Sequence, residues 1–209
     1  MSGEAERIAA TFGGLDLIHC LYDRFPFALR FELGGETRPV ADPLRALQAV
    51  ERARAILRTL WPKPEAVLLL IFTREDARDI RALDDETAAS LMSCGLDPRA
   101  FRAIGATPKV LHTPAGEPYE IWLHIHRYAA PLDFDAADRS IWGAVAADTP
   151  IRPKFENAYP VFVDLDRRIA AHVYDDRWMD VVGMERDATR ELHRLHSAWI
   201  APDHAKPSR

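Results

Sequence analysis

The sequence predicts an α+β domain: a mostly antiparallel sheet of about five to seven strands with helices packed against it, ending in a C-terminal three-strand meander followed by a helix. Three stretches carry this expectation. Tyr159 to Val182 reads as three short strands in succession, with charged residues gathered at Tyr174-Asp175-Asp176-Arg177 where the second strand ends. Phe27 to Leu33 alternates, with Phe27, Leu29, Phe31 and Leu33 on one face and Ala28, Arg30 and Glu32 on the other. Ala66 to Phe72 is apolar on both faces, as in a central strand covered on two sides.

In chain order, Ser2 caps a short helix over Gly3 to Thr11 that Gly13-Gly14 stops. Leu15 to Pro26 gives no periodic signal. After the Phe27 strand, Gly34-Gly35 ends the run, and Arg30 and Glu32 lie on one face, in position to pair with each other. Asp42-Pro43 is a helix start with an N-cap and proline at the first helical position. Leu44, Leu47, Val50, Leu57 and Leu60 then form an apolar stripe, with Arg45, Gln48, Glu51, Arg52 and Arg58 opposite, and Trp61-Pro62-Lys63-Pro64 terminates the helix. The glutamate among those arginines favours a solvated face over an anion-binding one.

Three short helices are expected after the central strand. The first is opened by Thr73 and Asp76 and runs through Leu83, the second spans Asp85 to Ser93, and the third starts at Asp97-Pro98 and ends at Gly105. Lys109 to His112 and Tyr119 to Tyr128 flank a hairpin loop at Thr113 to Pro118. A helix led by Asp135 or Asp138 reaches about Ala147. In the meander, Leu165-Asp166-Arg167-Arg168 is the tight reversal between the first two strands. Asp187 caps a last helix with Ala188, Leu192, Leu195 and Trp199 as its buried stripe.

With 209 residues the chain fits one domain, residues 1–209, with a polar tail from 203. At 48% hydrophobic and 28% charged residues it can bury a core, which excludes disorder. The net charge of -5 argues against a phosphate-backbone binder, so no nucleic acid partner is expected. The N-terminus lacks a basic region followed by an apolar core, and the longest apolar run, Ala66 to Phe72, is far short of the roughly 20 residues of a membrane span. Cys20 and Cys94 form no zinc pattern and read as reduced, structural thiols. A cytoplasmic, soluble chain without cofactor is therefore expected.

The densest charged constellation is Asp175-Asp176-Arg177 with Asp180. Strand alternation sends Asp175 and Asp176 to opposite faces and puts Asp176 beside His172 and Tyr174. Arg177 offers a two-pronged grip for a carboxylate or phosphate, whereas the structural alternative is a turn stabilised by Asp–Arg pairing and side-chain bonds to turn amides. His124 and His126 share a strand face, a spacing that metal sites use, with His112 or Glu120 as a third ligand. No further metal motif supports it, and packing beside Trp122 and Tyr128 is the preferred reading, so no metal is assigned. His193 and His196 fall on the solvent side of the last helix. No serine-hydrolase elbow, phosphate loop, dinucleotide fingerprint or zinc-protease motif is present.

Several segments together resemble an uncharacterised bacterial family, domain-of-unknown-function family 3885. They are Leu29-Arg30-Phe31-Glu32-Leu33-Gly34, Ile151-Arg152-Pro153, His172-Val173-Tyr174-Asp175-Asp176-Arg177 with Asp180-Val181-Val182, and Ser197-Ala198-Trp199-Ile200. The resemblance departs in one place: the family has a glycine after the arginine, where this chain has Trp178. It implies an architecture but no activity. It also implies that Arg30 and Glu32 join Tyr174, Asp175, Asp176, Arg177 and Asp180 in one polar cluster across adjacent strands.

Two functions follow as expectations. The first is a non-enzymatic binding protein with a protein partner, in an immunity-type or regulatory role, suggested by the lack of a catalytic signature and by aromatic-charged strands such as Trp122 to Tyr128. The alternative is an enzyme or small-ligand binder that acts on an anionic substrate through the Arg/Asp/Glu cluster, with arginine fixing the anion and a carboxylate as base.

Overall fold

Seven strands form one sheet in the order β1-β7-β6-β5-β2-β4-β3, every neighbouring pair antiparallel. This computed structural model describes residues 3–14, 17–18, 21–35, 38–64, 67–75, 82–112 and 118–201. The strands are β1 (Phe27–Glu32), β2 (Val67–Glu75), β3 (Arg102–His112), β4 (Pro118–Pro131), β5 (Tyr159–Asp164), β6 (Ile169–Val173) and β7 (Trp178–Gly183). The helices are α1 (Gly3–Thr11), α2 (Leu21–Arg24), α3 (Pro43–Leu60), α4 (Asp85–Ser93), α5 (Phe134–Ala146) and α6 (Arg190–Leu195).

The strand alternation read from the sequence separates two cores. Leu29, Phe31 and Leu33 of β1 pack with Met179 and Val181 of β7 on the face that α3, α4, α5 and α6 cover. Ala28 packs with Val182, Val161 and Leu70 on the opposite face, beneath α1 and α2. With both faces covered, β2, β5 and β6 read as apolar runs, because neither side of those strands meets water. The α2 turn lies in the Leu15 to Pro26 stretch that gave no periodic signal; it buries Leu21 and Tyr22.

Helix α3 begins as expected, with the Asp42 side chain accepting the Leu44 amide at 2.9 Å and Pro43 in the first turn. Val50, Leu57 and Leu60 of the expected stripe are buried, but Leu44 and Leu47 are 55% and 49% exposed, whereas Ala46, Ala49, Ala53 and Ile56 are buried and Arg45 is buried with them at 7%. The small alanine side chains suit close packing against α5, and the two N-terminal leucines are turned outward. At the far end, the Trp61 indole donates to Asp164 Oδ2 at 3.0 Å and ties the end of α3 to the β5–β6 turn.

The middle of the chain departs most from expectation. Thr73 continues β2 through Glu75 instead of opening a helix, and 76–81 lie outside the described residues. Helix α4 holds its expected bounds, capped by Asp84, but Asp97-Pro98 opens only a single 3-10 turn before the chain enters β3 at Arg102. Register shifts between Ala103 and Gly105 and between Val110 and His112 interrupt the β3–β4 ladder, which masks strand periodicity in the sequence. Helix α5 is capped by Asp133, two residues before Asp135 and five before Asp138, with Asp133 Oδ1 accepting the Ala136 amide at 2.6 Å.

The C-terminal helix is fragmented into a 3-10 turn at Arg186–Thr189, α6, and another 3-10 turn at Ser197–Trp199. Only Leu192 of its expected stripe is fully buried, and Leu195 is 47% exposed. Among the described residues, no helix is long and apolar enough to cross a membrane.

Candidate functional site

The β6–β7 turn brings Tyr174, Asp175, Asp176 and Arg177 to one end of the sheet, but their side chains divide between its two faces. Asp180 lies on the α2 side. Its position opposite Arg30 in the β1–β7 register and opposite His172 in the β6–β7 register aligns three polar side chains on adjacent strands. Arg30 donates to Asp180 through Nε at 2.8 Å and Nη2 at 2.9 Å, a two-pronged pair with the carboxylate fully buried. The Tyr22 amide and the Tyr174 hydroxyl each donate to Oδ2 at 2.8 Å. The Tyr174 oxygen in turn accepts the Leu21 amide at 2.8 Å, and its ring lies 4.0 Å from that of His172. The Arg30 guanidinium also sits 5.3 Å from the Tyr22 ring centroid.

Strand β6 ends at Val173, so the alternation that put Asp176 beside His172 and Tyr174 does not extend to it. Asp176 is buried on the α3 side instead, where Arg45 Nε donates to its Oδ2. Arg45 Nη1 also donates to the carbonyls of Gly35 and Arg38, both at 2.8 Å, so one guanidinium ties the turn, the end of β1 and the approach to α3 together. Gly34 is required at this crossing, because a Cβ there would lie 2.5 Å from the Asp176 carbonyl oxygen.

Asp175 shapes the turn itself. Its Oδ1 accepts the amides of Arg177 at 2.7 Å and Trp178 at 3.3 Å, and its Oδ2 accepts Arg177 Nε at 2.9 Å and also Nη2. Arg177, with 54% of its side chain exposed, further approaches Asp148 at 3.7 Å, and the Asp175 bond is the first cause that raises its basicity. Trp178 replaces the family's glycine without strain: it begins β7, and among the described non-glycine residues positive φ occurs only at Asn157 and Arg168.

The polar cluster is therefore real, but it is two buried knots joined by a turn. Glu32 does not pair with Arg30, which is held by Asp180; the Glu32 carbonyl accepts Arg52 Nη1 at 3.0 Å. Arg45 and Tyr22 belong to the cluster and escaped the sequence reading. Arg45 sits four and eight residues before Ala49 and Ala53, on the alanine face, and that spacing is the signal that marks it as buried. The bond from Tyr22 is made by its backbone amide, which no side-chain pattern reveals.

Chemically, Asp180 and Asp175 are saturated, whereas Asp176 accepts Arg45 Nε. An ionised carboxylate offers about four lone-pair positions, and Asp180 and Asp175 each accept four donors. Burial, and then the charge of Asp180, push the Tyr174 phenol well above its ordinary value, so it stays a neutral donor. A raised native value means that the phenol's contribution is complete below its unfolded value near 10 and fades as pH rises beyond it. Tyr174→Phe is expected to lose about 1–3 kcal/mol at pH 7. Urea melts of both chains from pH 7 upward should show that difference shrinking above about pH 10.

His124 and His126 are 8% and 0% exposed, with ring centroids 6.4 Å apart in an edge-to-face arrangement, and no group of three or more potential metal ligands occurs among the described residues. The side chains of His112 and Glu120 lie outside the described residues. His196 is not on a solvated face: its Nε2 lies 2.9 Å from Thr59 Oγ1, and burial lowers its basicity. Burial likewise raises the Cys94 thiol, with Ser93 offsetting part of the effect, while Cys20 lies outside the described residues.

Comparison with curated proteins and with solved structures returns no match. The family described as Domain of unknown function (DUF3885) matches residues 5–204, with the corner, its Arg30 partner and the C-terminal segment all inside the matched range. The chain belongs to that family.

Proposed function

We propose that this chain is a non-enzymatic binding protein of the bacterial cytoplasm whose partner is another protein, in an immunity-type or regulatory role. The observation that carries the reading is the contrast at the corner. Asp175 and Asp180 each accept four internal donors and Asp176 is buried against Arg45, which disfavours a role for them as base or ligand. Immediately beside the corner, three large apolar side chains face water: Val40 at 44%, Leu44 at 55% and Leu47 at 49%. Leu44 and Leu47 are three residues apart and share a face of α3. They flank Arg45, which is turned inward onto Asp176. Exposed apolar residues held on a rigid helix and bordered by the Arg38–Asp42 ion pair have the make-up of a protein-binding patch, apolar at its centre and polar at its rim.

The test replaces Leu44 and Leu47 together by aspartate. Both positions are solvated, so unfolding free energy is expected to change by no more than about 0.5 kcal/mol. Crosslinking and affinity capture from the native lysate are expected to recover a stoichiometric partner with the unaltered chain and to lose it with the variant. Absence of any stoichiometric partner for the unaltered chain would refute the reading.

A further inference from the structure

Strand β1 is an end strand of the sheet, yet its outer edge is not open. An unpaired edge is a template for another strand, and proteins cover or blunt such edges. Here the cover is the last stretch of the described chain. Ile200 forms an antiparallel bridge with Phe31, and the Ala201 amide donates to the Arg30 carbonyl at 3.0 Å. The next outward carbonyl, that of Glu32, is taken by Arg52 Nη1 at 3.0 Å.

The same Arg52 guanidinium lies 5.5 Å from the Trp199 ring centroid. Trp199 stacks on His196 with centroids 4.8 Å apart and planes at 19°, and His196 is anchored at Thr59. A single residue, Arg52, thus joins the edge to the aromatic pair that positions the covering segment. Against the six-residue β1–β7 ladder, the covering segment makes one bridge and one backbone bond, with Trp199 and Ile200 only partly buried on the core and Ala201 buried, and the α6 turn before it buries only Leu192.

The geometry points to Ser197–Ala201 being a releasable strap, and to the β1 edge beneath it being a receiving site for an extended segment of a protein partner by antiparallel strand addition. The strap itself defines the chemistry of the occupant: a free amide for the Arg30 carbonyl, an aliphatic side chain opposite Phe31, and an aromatic ring to lie against Arg52. Main-chain bonds along the edge supply affinity, and the aromatic–aliphatic pair supplies selectivity. Segments attached by few buried contacts open locally at far lower free energy than the whole fold, which makes exchange of strap for partner strand accessible. This deepens the protein-binding reading, on which it rests, by naming the form of the bound segment. Its test uses no cellular partner, so the two can fail separately.

The test takes the full chain, Trp199→Ala and Ala201→Pro. The first removes the ring from Arg52 and His196, and the second removes the amide that reaches Arg30. Hydrogen exchange is followed at residues 28–32, and a fluorescent peptide that reproduces residues 196–201 is titrated into each chain. Both variants are expected to exchange faster at β1 by about tenfold and to bind the peptide about tenfold more tightly than the unaltered chain, the factor that loss of one contact of this class supplies. A peptide carrying proline at the position of Ala201, whose amide is the one that reaches the Arg30 carbonyl, should bind none of them. Unchanged β1 exchange and peptide affinity in a natively melting variant would overturn the proposal. If Trp199→Ala fails to fold, Ala201→Pro decides alone by the same two readouts.

Discussion

Replacing Asp180 by alanine is expected to lower the unfolding free energy by about 3–5 kcal/mol, the range for removing one partner of a buried, hydrogen-bonded ion pair. The carboxylate is fully buried and accepts both prongs of Arg30, the Tyr22 amide and the Tyr174 hydroxyl. Its loss strands a guanidinium that is only 13% exposed, and it leaves the α2 turn without its tie to β7. Against a typical total stability of about 5–15 kcal/mol, the variant should sit near its folding limit. Asp180→Asn keeps the shape but not the charge and should fall between the two. Urea unfolding followed by circular dichroism measures all three chains, and a loss below about 1 kcal/mol for Asp180→Ala would show that the knot does not hold the sheet end together.

Arg45→Ala should be comparably severe, at about 3–5 kcal/mol, for the mirror-image reason. Asp176 is then buried without its cation, and the Gly35 and Arg38 carbonyls lose their shared donor. Position 45 tests the reading of α3 directly. A residue on a solvated helix face, as the leucine stripe implied, would tolerate alanine to within about 0.5 kcal/mol. The measurement is a denaturant titration of the variant, and the two expectations differ by far more than its error.

Much of this architecture was legible because the strands obey a simple rule. The alternation at Phe27 to Leu33 placed Leu29, Phe31 and Leu33 on one core and Ala28 on the other, and the structure keeps that division. The apolar β2 and the three-strand meander were equally clear, since strands covered on both faces carry few polar positions to obscure them. Legibility failed where local signals met non-local ones. Asp97-Pro98 is a sound helix start, but the chain beyond it is recruited as an edge strand by the 14-residue β4, which pairs with it between Ala129 and Pro118. On α3, hydrophobicity favoured Leu44 over Ala46, whereas the structure buries the alanine and exposes the leucine.

The corner was found by its charges, but its division was hidden. The parity argument for Asp176 assumes a continuing strand, and β6 stops at Val173. The decisive partners, Arg30 for Asp180 and Arg45 for Asp176, lie 150 and 131 residues away in sequence, so only the sheet order and the seat of α3 reveal them. That separation also explains why the corner resembled a site. Acidic residues and an arginine side by side look like ligand-binding chemistry until their distant partners are known.

If the corner is structural and the chain works through its surface, as proposed, partner binding does not need the buried Arg45–Asp176 pair. The most direct measurement compares the double variant Arg45→Met with Asp176→Leu against the unaltered chain, for stability and for capture of its crosslinked partner. Replacing a buried ion pair by apolar residues of similar volume is often neutral or stabilising, so the variant is expected to melt natively. The account predicts undiminished partner capture by this chain and loss of capture only when Leu44 and Leu47 are charged. A double variant that melts natively yet no longer holds the partner would contradict it, and the buried pair would then belong to the functional site.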